Sequence, residues 1–301
     1  MLLFGAAAAK LHVGMAKHWM KSLVVGMSRR WRTALTQALG IIGTVWLITE
    51  ILTRVSSEAN AWVTSHGDAY LGIVLAAGSI WFLAYIYEQR KVRFQVPTTD
   101  SHITVVFGDL FDVQADWLIG VNEFFDGQLG QVVAPTSVHG QFISKVFNGD
   151  AGRFRDAVEA ALAGSPSTPA VRPGLPPNRY DVGTTAVIAN GPRHVFLVAM
   201  ARTNLATAKA SSSVPLLWDA MRGGLQAVQD YGNGAPLAMP LLGNGRSSVN
   251  VEPQHLLRLL VLALVDFGRK VGLPKDVIVV VPDACFDLLD LREIRRDWMK
   301  Q

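Results

Sequence analysis

Two apolar stretches near the N-terminus constrain this chain more than any other feature. Thr33 to Thr53 reads TALTQALGIIGTVWLITEILT with Glu50 as its one charge, and Ala69 to Tyr87 reads AYLGIVLAAGSIWFLAYIY with none. A helix of about 20 apolar residues crosses the hydrocarbon core of a bilayer. A helix that is apolar on every side has no polar stripe to turn to water, as a surface helix of a soluble domain must. The pair therefore predicts a transmembrane hairpin, with helices at residues 33–54 and 69–88 joined by an external loop at 55–68. Trp31, Trp62, Tyr70, Tyr85 and Tyr87 fall where interfacial aromatic belts form.

Charge orients the hairpin. Lys10, Lys17, Lys21, Arg29, Arg30 and Arg32 precede it without an acid among them, and Arg90, Lys91 and Arg93 follow it, whereas Arg54, Glu58 and Asp68 lie between the spans. The positive-inside bias then puts both termini in the cytoplasm. The first span starts too late, and lacks the small-residue cleavage site, for a signal peptide. The basic segment 1–32 mixes cations with Leu11, Val13, Trp19 and Met20. It reads either as an amphipathic helix on the anionic leaflet or as a frayed tail. Gly40 and Thr44, and Gly72, Ala76 and Ala77, are small residues that permit close helix contact and homo-oligomers. Glu50 either faces such a partner or snorkels beside Arg54.

The chain carries a net charge of +4, but residues 94–301 hold 18 Lys/Arg against 20 Asp/Glu, a net of −2. The basic excess belongs to the membrane end, so no nucleic-acid surface is predicted. A single cysteine, Cys285, excludes an internal disulfide and a cysteine-based metal cluster. No metal site and no cofactor are expected.

Past a linker at 89–100 the composition becomes that of a soluble α/β domain, residues 101–301. ITVVF (Ile103 to Phe107) and DWLIGV (Asp116 to Val121) read as strands, and a helix is expected from Gln141 to Ala163. The proline-rich run from Gly164 to Tyr180 reads as a surface loop. TTAVIAN and HVFLVAM form a hairpin around NGPR. A helix over Val214 to Tyr231, a strand before Leu241, a core helix over Pro253 to Val271 and a strand in DVIVVVPD complete the pattern. Alternating strands and helices predict a mixed sheet covered on both faces.

Three loops carry candidate chemistry. In LLGNGRSS, Gly243 and Gly245 flank Asn244, and Arg246 adds a planar cation. Glycines there let backbone amides approach a diphosphate, which an arginine complements. The same pattern also makes an ordinary tight turn. A second strand end carries Gly108, Asp109 and Leu110, and a third carries Val121 and Asn122.

Those strand ends resemble the start of the macrodomain family, where GDI and VNAAN occupy the same places. YDVGTTAVI (Tyr180 to Ile188) resembles the family's YPxGxAVI, and PLLGNGRS stands where PAISTGIYG would. The resemblance covers residues 101–290 and implies a macrodomain-like mixed sheet sandwiched between helices, behind a two-helix transmembrane hairpin. It places Asp109, beside Leu110, on an adenine amino group and Asn122 near a distal ribose. PTSVHGQF corresponds to GGGVDGAI, so Thr136, Ser137, Val138, His139 and Gly140 border the diphosphate, with Gly243, Asn244, Gly245 and Arg246 opposite. Each also has a plainer reading, Asp109 as a turn cap and Asn122 as a turn residue. His139 can titrate, donate to phosphate or simply pack.

Phe125 stands where catalytic members carry the asparagine that serves hydrolysis, so the resemblance implies binding without catalysis. The anchor with an atypical macrodomain is similar to the membrane-type effectors of Thoeris antiphage systems. That likeness implies a bacterial inner-membrane effector in antiviral defence. A partner TIR-domain enzyme makes its ligand, an ADP-ribose derivative, in these systems histidine-ADP-ribose. Binding then leads to homo-oligomers, bilayer disruption and abortive infection. The alternatives are a membrane-tethered ADP-ribosyl hydrolase and a reader of ADP-ribosylated protein.

Overall fold

The computed structural model describes residues 2–207, 209–245 and 249–298, with side chains described from His18 onward. The chain divides into two compact units, residues 1–89 and 90–301.

The first unit is helical. α1 (Leu2–Val55) is a single helix of 54 residues, about 81 Å long at 1.5 Å per residue. α2 (Ser57–Ser65) follows, capped by the Ser56 hydroxyl, which accepts from Ala59 N at 3.2 Å. α3 (Gly67–Ile86) packs back along α1. Both α1 and α3 are long and apolar enough to cross a membrane. Small residues set their approach: a Cβ at Gly78 would lie 2.7 Å from the Ile42 side chain, and one at Gly26 would collide with the Ile86 carbonyl. Below the spans, Glu88 is buried, 3.2 Å from Arg30 and 3.9 Å from Arg29, while its carbonyl accepts from the Ser22 hydroxyl at 2.7 Å.

This unit differs from the sequence expectation in two respects. Residues 2–32, expected as a surface helix or a frayed tail, run into the first span without a break, because no proline interrupts them. The expected loop 55–68 is largely helix α2.

The second unit starts earlier than the expected boundary at 101. β1 (Lys91–Gln95), inside the expected linker, pairs antiparallel with β2 (His102–Phe107), Arg93 opposite Thr104. Its exposed–buried alternation fits an edge strand with one covered face. β3 (Asp116–Asn122) follows, then α4 (Val138–Val146) and α5 (Ala151–Ala161). The expected single helix over 141–163 is thus two. Asn148 and Gly149 both take positive φ, which no helix continues through, and Asp150 caps the second helix on Gly152 N and Arg153 N.

Within the proline-rich run, β4 (Ser167–Pro169) and β5 (Asn178–Tyr180) pair as a small ribbon. β6 (Thr185–Asn190) and β7 (Arg193–Asn204) form the expected hairpin, and β8 (Lys209–Ser211) extends from β7. α6 (Val214–Tyr231), β9 (Leu237–Pro240), α7 (Pro253–Lys270), β10 (Asp276–Val281) and α8 (Leu291–Trp298) complete the unit.

The sheet order is β1-β2-β10-β9-β3-β7-β6. β2, β10, β9, β3 and β7 are parallel, with antiparallel strands at both edges. Strand alternation divides the core. Ile119 and Val121 join a cluster with Phe142 and Phe154 from α4 and α5. Leu118 points the other way, and a Cβ on Gly224 of α6 would lie 2.8 Å from it. Helices therefore cover both faces, as the alternating pattern predicts.

Candidate functional site

The chain order fixes where a ligand can enter. From β3 the chain passes through α4 and α5 to strands on one side, whereas from β9 it passes through α7 to β10 on the other. Crossovers that leave in opposite directions open a crevice beyond the carboxyl ends of adjacent strands. β3 and β9 are those neighbours, and their ladder covers only Asp116–Leu237 and Trp117–Ala238. The loops at the crevice are those that follow β3 and β9. Three of the loops predicted from sequence meet at this edge of the sheet: that after β2, that after β3 and that after β9.

After β2, Gly108 N donates to Val281 O at 2.9 Å, and Asp109 turns the chain into a short 3-10 segment. Asp109 Oδ1 accepts from Phe111 N at 3.0 Å, so the cap reading holds. Oδ2 faces Lys145 Nζ at 3.3 Å with both side chains nearly half exposed. An exposed pair of this kind contributes little and leaves an acceptor open to exchange for a ligand amine. Leu110 is buried in the core and offers no side-chain function.

After β3, Asn122 is buried and turned inward. Its Nδ2 donates to Asp126 Oδ2 at 2.7 Å and its Oδ1 accepts from Asp126 N at 3.1 Å. The amide builds the turn that follows β3. Phe125 sits at φ 52°, 2% exposed, edge-on to Tyr180 with centroids 5.5 Å apart. It carries no group able to orient a water.

The chain then enters α4. Ser137 caps it, accepting from Gly140 N at 3.0 Å while its hydroxyl donates to Ala134 O at 2.7 Å, so this hydroxyl is occupied. The N–H groups of Val138 and His139 lie in the first turn, which has no carbonyl four residues back to satisfy them. Such amides suit a phosphate. The Val138 side chain packs on the core cluster. Gly140 permits the packing: a Cβ there would collide with Ala134 O and lie 2.9 Å from Pro135 Cα.

Of the three readings of His139, the structure shows the packed ring. Its ring is buried against Phe154, centroids 5.4 Å apart, and Nε2 has no hydrogen-bond partner among the described residues. Burial lowers its pKa from 6.5 to about 3, so the ring is neutral at physiological pH. The unfolded chain binds this proton near pH 6.5 and the folded chain near 3, so the associated stability is complete above pH 6.5 and falls as pH drops toward 3. The loss amounts to at most about 1.4 kcal/mol per pH unit. Denaturant titrations from pH 7 to 4 should show a shallower decline for His139→Leu than for the wild type.

After β9, Gly243 takes φ 84°, and a Cβ on it would lie 2.7 Å from Val249 and 3.3 Å from Leu256. Only glycine fits. Asn244 N donates to Leu241 O at 3.2 Å, and its Nδ2 reaches Cys285 Sγ at 3.3 Å, tying the loop to the turn after β10. A Cβ on Gly245 would meet nothing within 4 Å. Arg246 lies outside the described residues.

Several residues at this edge were missed from sequence. Arg90 pairs with Asp283 and lies over Phe286, 5.1 Å from the ring centroid. Glu123 is 2% exposed. It accepts from Thr203 N at 3.0 Å and faces Arg179 Nε at 3.0 Å. Asp126 pairs with Arg172 from the proline-rich run. Nothing local in PAVRPGLPP marks Arg172 as a buried cation, since its partner lies 46 residues away.

A mixed sheet of this order, sandwiched by helices and carrying glycine-built loops at the crevice, defines a macrodomain. Residues 103–282 match the family described as Thoeris protein ThsA, Macro domain. The chain belongs to that family. Among solved structures it is similar to the Oceanobacillus iheyensis macrodomain with ADP, at 10% identity and a TM-score of 0.48, over 70% of this chain and 98% of that one. It is also similar to the Trypanosoma brucei macrodomain in complex with ADP-ribose, at 14% identity and a TM-score of 0.40, over 62% and 66%. No curated protein matches the chain.

Proposed function

We propose that this protein is a membrane-anchored effector whose macrodomain binds a free ADP-ribose-derived signal and, once loaded, assembles and disrupts the bilayer. The observation that carries this reading is the strand order, which sets the loops after β3 and β9 at the carboxyl ends of neighbouring strands. In this reading one wall is the first turn of α4, packed close by Gly140, and the other is the loop in which Gly243 and Gly245 carry no side chain. Amides on two sides and a carboxylate at Asp109 complement an adenosine diphosphate sugar. The site is built from Asp109, the backbone at Val138, His139 and Gly140, and the backbone from Gly243 to Gly245, with Arg246 as a further cation.

The remaining steps extend that reading. The signal is histidine-ADP-ribose from a partner TIR-domain enzyme, and the chain spans a bacterial inner membrane twice with both termini in the cytoplasm. Signal that binds the assembled state more tightly shifts the population toward it by the ratio of the two affinities, and no further. The two apolar helices would then be gathered until the membrane leaks.

Full-length protein in liposomes tests this directly. Dye release is expected with histidine-ADP-ribose, and none without ligand or with an Asp109→Ala chain. Silence under all three conditions would remove the effector reading. The competing reading, a tethered hydrolase, requires ADP-ribose release from a modified protein. The position of Phe125, packed on Tyr180, disfavours it.

A further inference from the structure

Arg172 sits in a run that reads as surface loop, yet its side chain is 4% exposed and that of its partner Asp126 is 0% exposed. The pair is bidentate, with Nη1 donating to Oδ1 at 2.9 Å and Nη2 to Oδ2 at 2.7 Å. Nη1 also donates to Pro176 O at 3.0 Å, and the guanidinium lies 3.8 Å from the centroid of Phe124. Asp126 passes the restraint onward through its two hydrogen bonds with Asn122. Together these contacts close the turn from Asn122 to Asp126, where the chain leaves β3 at the crevice.

That turn needs holding. Phe125 within it has positive φ, a conformation that bulky side chains resist. Glu123 fixes the start of the turn to β7 through Thr203 N, and its carbonyl accepts from Tyr180 N at 2.9 Å. The Asp126 carboxylate fixes the far end, and it reaches its cation in the connection between β4 and β5.

We propose that Arg172 is a positioning residue for the ligand crevice: its buried fork on Asp126 sets the Asn122–Asp126 turn, so the proline-rich segment is part of the binding apparatus. The proposal rests on the reading of the crevice as an ADP-ribose site. A planar guanidinium is required, because a lysine supplies a single point charge where two parallel hydrogen bonds and ring stacking are used.

Two variants of the full chain in nanodiscs test it. Arg172→Lys keeps the charge and loses the fork. Asp126→Leu with Arg172→Met replaces the pair by apolar side chains, which leaves no bare buried charge. Amide hydrogen exchange over residues 122–127 without ligand reports the turn, and calorimetry with ADP-ribose reports the site. Both are run at a temperature where circular dichroism shows every chain folded. The expected result in both variants is at least tenfold faster exchange at 122–127, unchanged exchange in α6, and at least tenfold weaker ADP-ribose binding. A lowered melting temperature with exchange and affinity both unchanged, in either variant, is the purely structural outcome and overturns the proposal. A wild-type chain that fails to bind ADP-ribose removes the functional reading instead, and the exchange arm still decides whether Arg172 sets the turn.

Discussion

Gly245→Glu is expected to weaken ADP-ribose binding by at least about a hundredfold while leaving the melting temperature within about a degree of wild type. The two halves of that expectation have different causes. Gly245 has open space where a Cβ would stand, and it is not among the glycines held at positive φ, so a side chain there neither clashes nor strains the backbone. What glutamate adds is a carboxylate at the rim where a diphosphate would lie, and juxtaposed like charges cost several kcal/mol. Gly245→Ala, which adds volume without charge, should bind within a fewfold of wild type. Calorimetry with ADP-ribose, paired with a thermal melt of each chain, separates the cases. Undiminished affinity in the glutamate variant would take the loop after β9 out of the site.

Much of this architecture was legible because it depends on local pattern. The two long apolar helices follow from length and composition, and the hairpin of β6 and β7 from alternation around Asn190 and Gly191. α6 begins and ends where its periodicity does, from Val214 to Tyr231. Gly243 and Gly140, singled out from the sequence, each prove sterically obligatory. What escaped was set by distant partners. Lys91 to Gln95 looked like linker because an edge strand is defined by the neighbour it pairs with, here β2. The break between α4 and α5 hinged on Asn148 and Gly149 adopting positive φ, a choice that the flanking helical pattern conceals.

The site residues divide along the same line. Backbone-based expectations at Gly140 and Gly243 rest on steric facts readable from a glycine. The side-chain packing of Asn122 and His139 was not legible in the sequence, because a side chain's direction is decided by what it packs against. Asn122 found Asp126, and His139 found Phe154. With these side chains turned inward, the proposed diphosphate site draws on main-chain amides, and Phe125 packs in the core against Tyr180.

The proposed main-chain recognition makes Gly140→Ala the other severe substitution. Its added methyl would collide with the Ala134 carbonyl and stand 2.9 Å from Pro135 Cα. Both neighbours are backbone, so neither can rotate away, and α4 must shift or its first turn must unwind. Overpacking of this kind costs about 1–3 kcal/mol. Loss of the Ser137 cap, which depends on the Gly140 N–H, adds about 1 kcal/mol. A destabilisation of about 2–4 kcal/mol in denaturant titrations is therefore expected, together with loss of ADP-ribose binding at temperatures where the variant is still folded, since the amides of Val138 and His139 move with the turn. Gly245→Ala serves as the control that alters a glycine of the opposite wall without a clash. Wild-type stability in Gly140→Ala would mean that the loop from Ala134 to Ser137 yields freely, and a loop that yields freely could not hold those amides at fixed distance from the opposite wall.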